Sequence, residues 1–273
     1  RFRTGAGLHD AAGGLQLIDP RVGGDGAIWG SIWASNADYF GAADPEIRRM
    51  AIIRASGGKT VAPNIRLSVD IPWSPLAVST DARVATGDLR FGSTFALMKP
   101  NEAPLGVALA PWVGLPTGMK TAQTTHGGMS GGLALALGGG ERLHWRSNLA
   151  YRMEDSAQLH AADLGFGMER EIGRHFWLGS ELSGSIQVHA SQLITPVEAH
   201  LYGGVHRSDH QRLTLALGGG RVDGEGSPAW RVALGYSWRR PGRTDDEDGD
   251  GIFNVGDACP HAPEDMDGNQ DSD

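Results

Sequence analysis

The sequence holds a single cysteine, Cys259, so no disulfide can close within it. It has no apolar run of roughly 18 residues, which excludes a membrane-crossing helix. Arg1-Phe2-Arg3 is not followed by the apolar stretch of a secretion signal, so the chain reads as either mature or cytoplasmic. No G-x-S-x-G elbow, phosphate-binding glycine loop or Cys/His nucleophile pair is present, and no enzymatic activity is expected. A hydrolase on a barrel wall would need a serine, a histidine and an acid meeting there, which spacing alone does not reveal. None of the 10 histidines has zinc-site spacing. His200 and His206 share a face only if their strand runs past Val205, and His261 lies among acids whose oxygens suit calcium better.

Net positive charge is also lacking. The chain carries −8, but 11 acids and no Lys or Arg lie from Thr244 onward, leaving residues 1–243 at only +3. That excess is too small for a nucleic-acid partner. The 40% hydrophobic content and mean hydropathy of −0.27 resemble those of a soluble protein, yet fit a barrel in which only alternate strand residues meet lipid. Glycine is abundant, at 41 residues, as tight turns and a crowded barrel interior require.

What is present is alternation. In Arg142–Arg152, Leu143, Trp145, Ser147, Leu149 and Tyr151 fall on one face. Arg142, His144, Arg146, Asn148, Ala150 and Arg152 fall on the other. Period two marks a strand. An apolar face backed by a cationic one suits the wall of a membrane barrel with a polar lumen. The same pattern places Ile65, Leu67, Val69, Ile71 and Trp73 outward, then Leu89, Phe91, Phe95 and Leu97, then Val107 to Leu115 in steps of two. It continues through Met129–Leu137, His160–Glu169, Phe176–Gly184, Val197–Val205, Arg212–Gly218 and Trp230–Trp238. Two weaker strands, 26–39 and 48–61, bring the count to twelve, and for the first the apolar face is unclear. Residues 1–22 are expected to be irregular and tucked into the lumen, with the barrel over 23–240.

Connections alternate too. Ala62–Asn64, Lys99–Leu105, Gly138–Glu141, Glu171–Arg174 and Ser208–Gln211 are short. Ser74–Thr86, Pro116–Gly128, Ile186–Thr195 and Val222–Pro228 are longer. Short turns on one rim and long loops on the other fit an outer-membrane barrel with both chain ends on the periplasmic side. A soluble β-sandwich alternates as well but does not predict this loop pattern. Arg142, Arg146 and Arg152 lie one strand from Asp163 and Glu169 and two from Glu181, so opposite charges on neighbouring strands are expected to attract, knitting the lumen and setting register.

The composition changes after Arg243. Asp246, Asp248 and Asp250 alternate, Gly251 permits a sharp turn, Ile252 offers a carbonyl, and Asp257 takes the twelfth position of a calcium loop. No flanking helical pattern supports an EF-hand. A solvated acidic linker is the plain alternative.

From Asp246 to Asp273 the string D-x-D-x-D-G-I, D-x-C-P and E-D-x-D-G-x-x-D-x-D resembles a thrombospondin type-3 repeat. The resemblance implies a second, incomplete calcium site at Asp265, Asp267 and Asp271. The pattern would continue Gly-Cys-Pro past Asp273, so the chain is expected to be a fragment, with a partner for Cys259 beyond it. Barrel and repeat together resemble the OmpA-type outer-membrane proteins of myxobacteria and their relatives. The phrases carrying the likeness are GDLRFGSTFALM (Gly87–Met98), GVALAPWVGLPTG (Gly106–Gly118), SNLAYRM (Ser147–Met153) and VALGYSWRRPG leading into the repeat at 244–273. In that family a peptidoglycan-binding domain follows.

The fold expected is therefore all-β: a twelve-stranded antiparallel transmembrane barrel with a short calcium-binding tail. The function implied is an outer-membrane anchor of a Gram-negative bacterium. Its stalk would stand in the periplasm, and peptidoglycan or other envelope proteins would be reached through a domain outside this chain. A passive, porin-like pore is the alternative, and a soluble calcium-dependent adhesion module a weaker one.

Overall fold

The computed structural model describes residues 17–22, 24–38, 49–77, 83–99, 103–118, 128–140, 143–155, 159–189, 192–208, 210–221, 229–242 and 252. The strands are β1 (Ile28–Asp38), β2 (Arg49–Ala62), β3 (Ile65–Ala77), β4 (Arg83–Thr86), β5 (Leu89–Met98), β6 (Gly106–Leu115) and β7 (Ser130–Gly139). They continue as β8 (Leu143–Glu154), β9 (Leu159–Ile172), β10 (Phe176–His189), β11 (Gln192–Ile194), β12 (Val197–Ser208), β13 (Gln211–Arg221) and β14 (Trp230–Arg240). Each pairs antiparallel with its neighbours. The ring closes where Ile28 of β1 lies opposite Arg240 of β14. Strands β4 and β5 are two pieces of one wall strand, both paired to β3, and β11 and β12 are two pieces of another, both paired to β10. The result is a closed barrel of twelve strands, with no helix among the described residues.

Alternation decides which way each strand faces. Leu97, Leu164 and Leu201 point outward with 60%, 60% and 66% of their surface exposed, whereas Arg146, Asn148 and Glu181 point inward and are buried. Strand β9 alternates buried and exposed from Leu159 to Glu169. An oily exterior over a charged interior inverts a soluble protein and is what a wall seated in lipid requires. Aromatic rings mark both rims of the outer face: Trp73, Tyr151 and Trp230 toward the long connections, Phe95, Phe176 and Trp238 toward the short turns. Glycines with positive φ, Gly140 at 89° and Gly173 at 70°, turn the chain between β7 and β8 and between β9 and β10.

Strand β1, whose apolar face the sequence leaves open, sends Ile32 outward and Ser31 and Trp33 into the lumen. The packing gives the reason. A Cβ on Gly235 would lie 2.5 Å from the Trp33 ring, so the bare backbone of β14 makes a slot for the indole. Strand β10 runs beyond the expected Gly184 to His189. Its Gln187–His189 pairs with Ile194–Gln192, so part of the expected Ile186–Thr195 loop is hairpin. Ile186 and Val188 keep pointing outward there, while Ser185 and Gln187 keep pointing inward.

Residues 17–22 take no strand. They run inside the barrel toward the short-turn rim, where β1 begins, and Leu17, Asp19 and Val22 are buried. Arg142, the expected calcium ligands Asp246, Asp248, Asp250, Asp257, Asp265, Asp267 and Asp271, and Cys259 and His261 lie outside the described residues. Ile252 is described and half-buried.

Candidate functional site

The lumen is built by the inward residues of the alternating strands. Its densest cluster centres on Glu169 of β9. Arg146 of β8 donates to Glu169 Oε2 at 3.1 Å and to Tyr202 Oη at 2.9 Å. Arg212 of β13 donates to Glu169 Oε1 at 2.6 Å. The guanidinium of Arg212 also lies 3.7 Å from the centre of the Trp177 ring, which packs on Tyr202 at 5.4 Å. One carboxylate thus ties β8 to β13 through side chains inside the barrel. Such a link is shorter than the path around the wall, and each carboxylate oxygen accepts from a charged donor.

Three further clusters line the wall. Arg231 of β14 donates to Glu198 of β12 at 3.2 Å, and His200 Nε2 lies 3.3 Å from the same carboxylate. Arg54 of β2 lies 3.4 Å from Asp70 of β3, which also accepts from Ser56 at 2.6 Å. Arg152 pairs with Glu154 at 3.1 Å and with Asp163 at 3.4 Å. Arg90 stands 4.7 Å from the centre of the Trp112 ring. Of the charges expected to attract between neighbouring strands, Arg146 meets Glu169 and Arg152 meets Asp163. Glu181 faces the lumen and forms no ion pair among the described residues, and His200 and His206 share the inward register of β12.

The segment 17–22 occupies the part of the lumen nearer the short turns. The Asn148 side-chain amide accepts from the Ile18 amide and donates to the Ile18 carbonyl at 3.0 Å. Thr60 donates to the Val22 carbonyl, and Arg66 donates to the Arg21 carbonyl at 3.2 Å. Two wall glycines make room for it. A Cβ on Gly167 would meet Leu17 Cδ1 at 2.9 Å, and one on Gly138 would meet Pro20 Cδ at 3.1 Å. Asp19 and Arg21 bond to one another within the segment. Burial works to raise the Asp19 carboxyl, but the Arg21 charge and its hydrogen bonds outweigh that and pull it down to about 2.

The described residues hold no group of three His, Cys, Asp or Glu placed to take a metal ion. On the outer wall, Tyr151 Oη and His160 Nδ1 are 2.7 Å apart, and no serine or carboxylate among the described residues bonds to that pair.

No known family model matches the chain, and no curated protein matches its sequence. Solved structures do resemble it. An outer membrane channel from Pseudomonas putida F1 superposes with a TM-score of 0.58 at 12% identity, over 79% of this chain and 96% of that one. The NanC porin gives 0.55 at 8% identity, over 77% and 98%. The KdgM porin, solved in complex with disordered oligogalacturonate, gives 0.53 at 8% identity, over 78% and 98%. The fold is that of outer-membrane channels and porins. At these identities the likeness is one of architecture, and the lumen residues must speak for themselves.

Sequence reading missed the internal segment's contacts, the cross-lumen tie through Arg212, and the inward Trp33 and Trp177. For Arg212 a signal existed: it precedes Leu213, Leu215 and Leu217 in the inward register.

Proposed function

We propose that this chain is a narrow outer-membrane channel for small charged solutes, held constricted by its own residues 17–22. The observation that carries the reading is the inward face itself. Ser31, Arg54, Arg66, Asn148, Arg152, Asp163, Glu181, Glu198 and Arg231 all turn inward, so the barrel encloses a polar, charged face in place of an apolar core. A lumen lined this way suits water and polar solutes. Arg66 of β3 and Arg90 of β5 lie in the inward register with no carboxylate ion pair among the described residues, which makes acidic solutes the first class to try, and the oligogalacturonate of the KdgM porin is such a molecule. No chemical step is assigned to the barrel. Liposome swelling tests the reading. Vesicles carrying the protein should admit small acidic sugars faster than neutral sugars of similar size, and swelling no faster than protein-free vesicles would reject it.

A second reading, the anchor, rests on one relationship. Ile28 and Arg240 lie opposite one another at the short-turn rim, so the chain leaves the barrel there just before the acidic repeat begins. On this reading Asp246, Asp248, Asp250, Ile252 and Asp257 take a calcium ion. Asp265, Asp267 and Asp271 contribute to another, and the stiffened stalk extends into the periplasm toward the cell wall.

A further inference from the structure

The closing seam of the barrel carries a groove at the short-turn rim. Its volume is about 590 Å³, and Asp25, Gly26, Ile28, Lys59, Val61 and Arg240 line it. Register fixes their placement. Ile28 lies opposite Lys59 on one side and opposite Arg240 on the other. All three occupy the outward register of their strands, and Lys59 and Arg240 are exposed. Two strand spacings separate the two cations, roughly 10 Å between backbones. A single anionic group above Ile28 is thus within reach of both side chains.

The level of the groove is fixed by its neighbour. Trp238 lies two residues from Arg240 on the same face, in the register of Gly30, which in turn faces Gly57. The indole lies directly over Gly30: a Cβ there would sit 2.7 Å from Trp238 Nε1. Outward tryptophans of membrane barrels sit at the boundary between acyl chains and headgroups. Lys59 and Arg240 therefore stand one step beyond that boundary, at headgroup depth, with the glycine-flattened wall of β1 and β2 leading up from them into the apolar belt.

We propose that this groove binds one phospholipid, taking its phosphate between Lys59 and Arg240 and the ammonium of an ethanolamine headgroup beside Asp25. Lys59 supplies a point charge and Arg240 a planar fork for phosphate oxygens. The carboxylate in the same groove selects a headgroup carrying a compact cation with N–H donors, so ethanolamine is preferred over choline or glycerol. The acyl chains lie against Trp238, Gly57 and Ile32. The site depends on the barrel's seat in a membrane and not on what passes through the lumen, so it stands or falls apart from the channel reading.

Native mass spectrometry of the full chain in detergent micelles tests it, with phosphatidylethanolamine, phosphatidylglycerol or phosphatidylcholine added. One phosphatidylethanolamine should stay bound in preference to the other two. Lys59→Gln with Arg240→Gln should weaken it by about tenfold or more, as expected for loss of charge-assisted hydrogen bonds. Lys59→Arg should retain it, and Asp25→Asn should abolish the preference over phosphatidylcholine. Millimolar inorganic phosphate should leave the lipid in place. Equal lipid retention by the double variant, folded by its gel shift before and after boiling, overturns the site. Phosphatidylglycerol binding as tightly as phosphatidylethanolamine overturns the headgroup assignment, and displacement by phosphate alone would make it an inorganic-anion site instead.

Discussion

Asn148 grips both backbone groups of Ile18, its Oδ1 accepting from the Ile18 amide and its Nδ2 donating to the Ile18 carbonyl at 3.0 Å. The wall residue behaves toward the inner segment as a neighbouring strand would. Asn148→Ala removes both bonds and leaves two backbone groups to find water. The internal segment should loosen while the barrel stays closed, at a cost of about 1–3 kcal/mol to the segment's docking. Hydrogen exchange at the Ile18 amide checks this: it should quicken by an order of magnitude or more, with β7 and β8 amides unchanged.

Glu169 accepts from both Arg146 and Arg212, so Glu169→Gln strands two inward guanidinium groups. Removing the shared partner of a buried pair costs about 3–5 kcal/mol. The temperature at which the folded band disappears on a detergent gel should fall clearly. Arg212→Leu should be milder, because Arg146 still satisfies the carboxylate.

The facing assignment predicts a contrast on one strand. Leu149 is 55% exposed on the outer wall, and Arg146 is buried in the lumen. Leu149→Arg puts a cation against lipid and should cost about 2–4 kcal/mol near mid-membrane, blocking assembly into vesicles. Arg146→Leu should insert normally, though with lower heat resistance because Glu169 and Tyr202 lose a donor. Equal insertion of both variants would sink the assignment.

The Asp19 carboxyl titrates near 2 in the folded chain and near its ordinary value of about 4 when released. A depressed folded value stabilises docking fully above the unfolded value, and that contribution disappears as pH falls from about 4 toward 2. Segment docking should therefore be flat with pH from neutral down to about 4 and then weaken. Asp19→Asn should remove the acid transition, as read by exchange at the Ile18 amide.

The acidic repeat gives a prediction of its own. Calcium should protect the chain beyond Arg243 from proteases, and chelation or Asp250→Ala should expose it, while the barrel strands stay protected. The hydrogen-bond ladder of the barrel closes on itself, so its protection should not change with calcium. A tail cut equally fast with and without calcium would leave a solvated acidic linker.

How much was legible depended on chemical contrast between faces. On β8, β9 and β14 the two faces differ so strongly that period two alone gives their direction, and the attraction between the arginines of β8 and the acids of β9 follows from their being neighbours, though not which arginine meets which acid. On β1 both faces carry apolar groups, Ile32 on one and Trp33 on the other, so the pattern is silent and the slot at Gly235 decides. The bond from Arg212 to Glu169 is a chord across a cylinder. Strand order gives neighbours along the wall, but not which side chains meet inside it. Leu17-Ile18-Asp19-Pro20 has no period, and its place is set by Gly138, Gly167 and Asn148, far away in sequence.

The most direct test of the account is single-channel conductance in planar bilayers, comparing the whole chain with one lacking residues 1–22. The whole chain should show small unitary steps, and the shortened chain should show steps several-fold larger with the same barrel resistance to detergent. Identical conductance in the two, or none in either, would contradict a channel narrowed by its own inner segment.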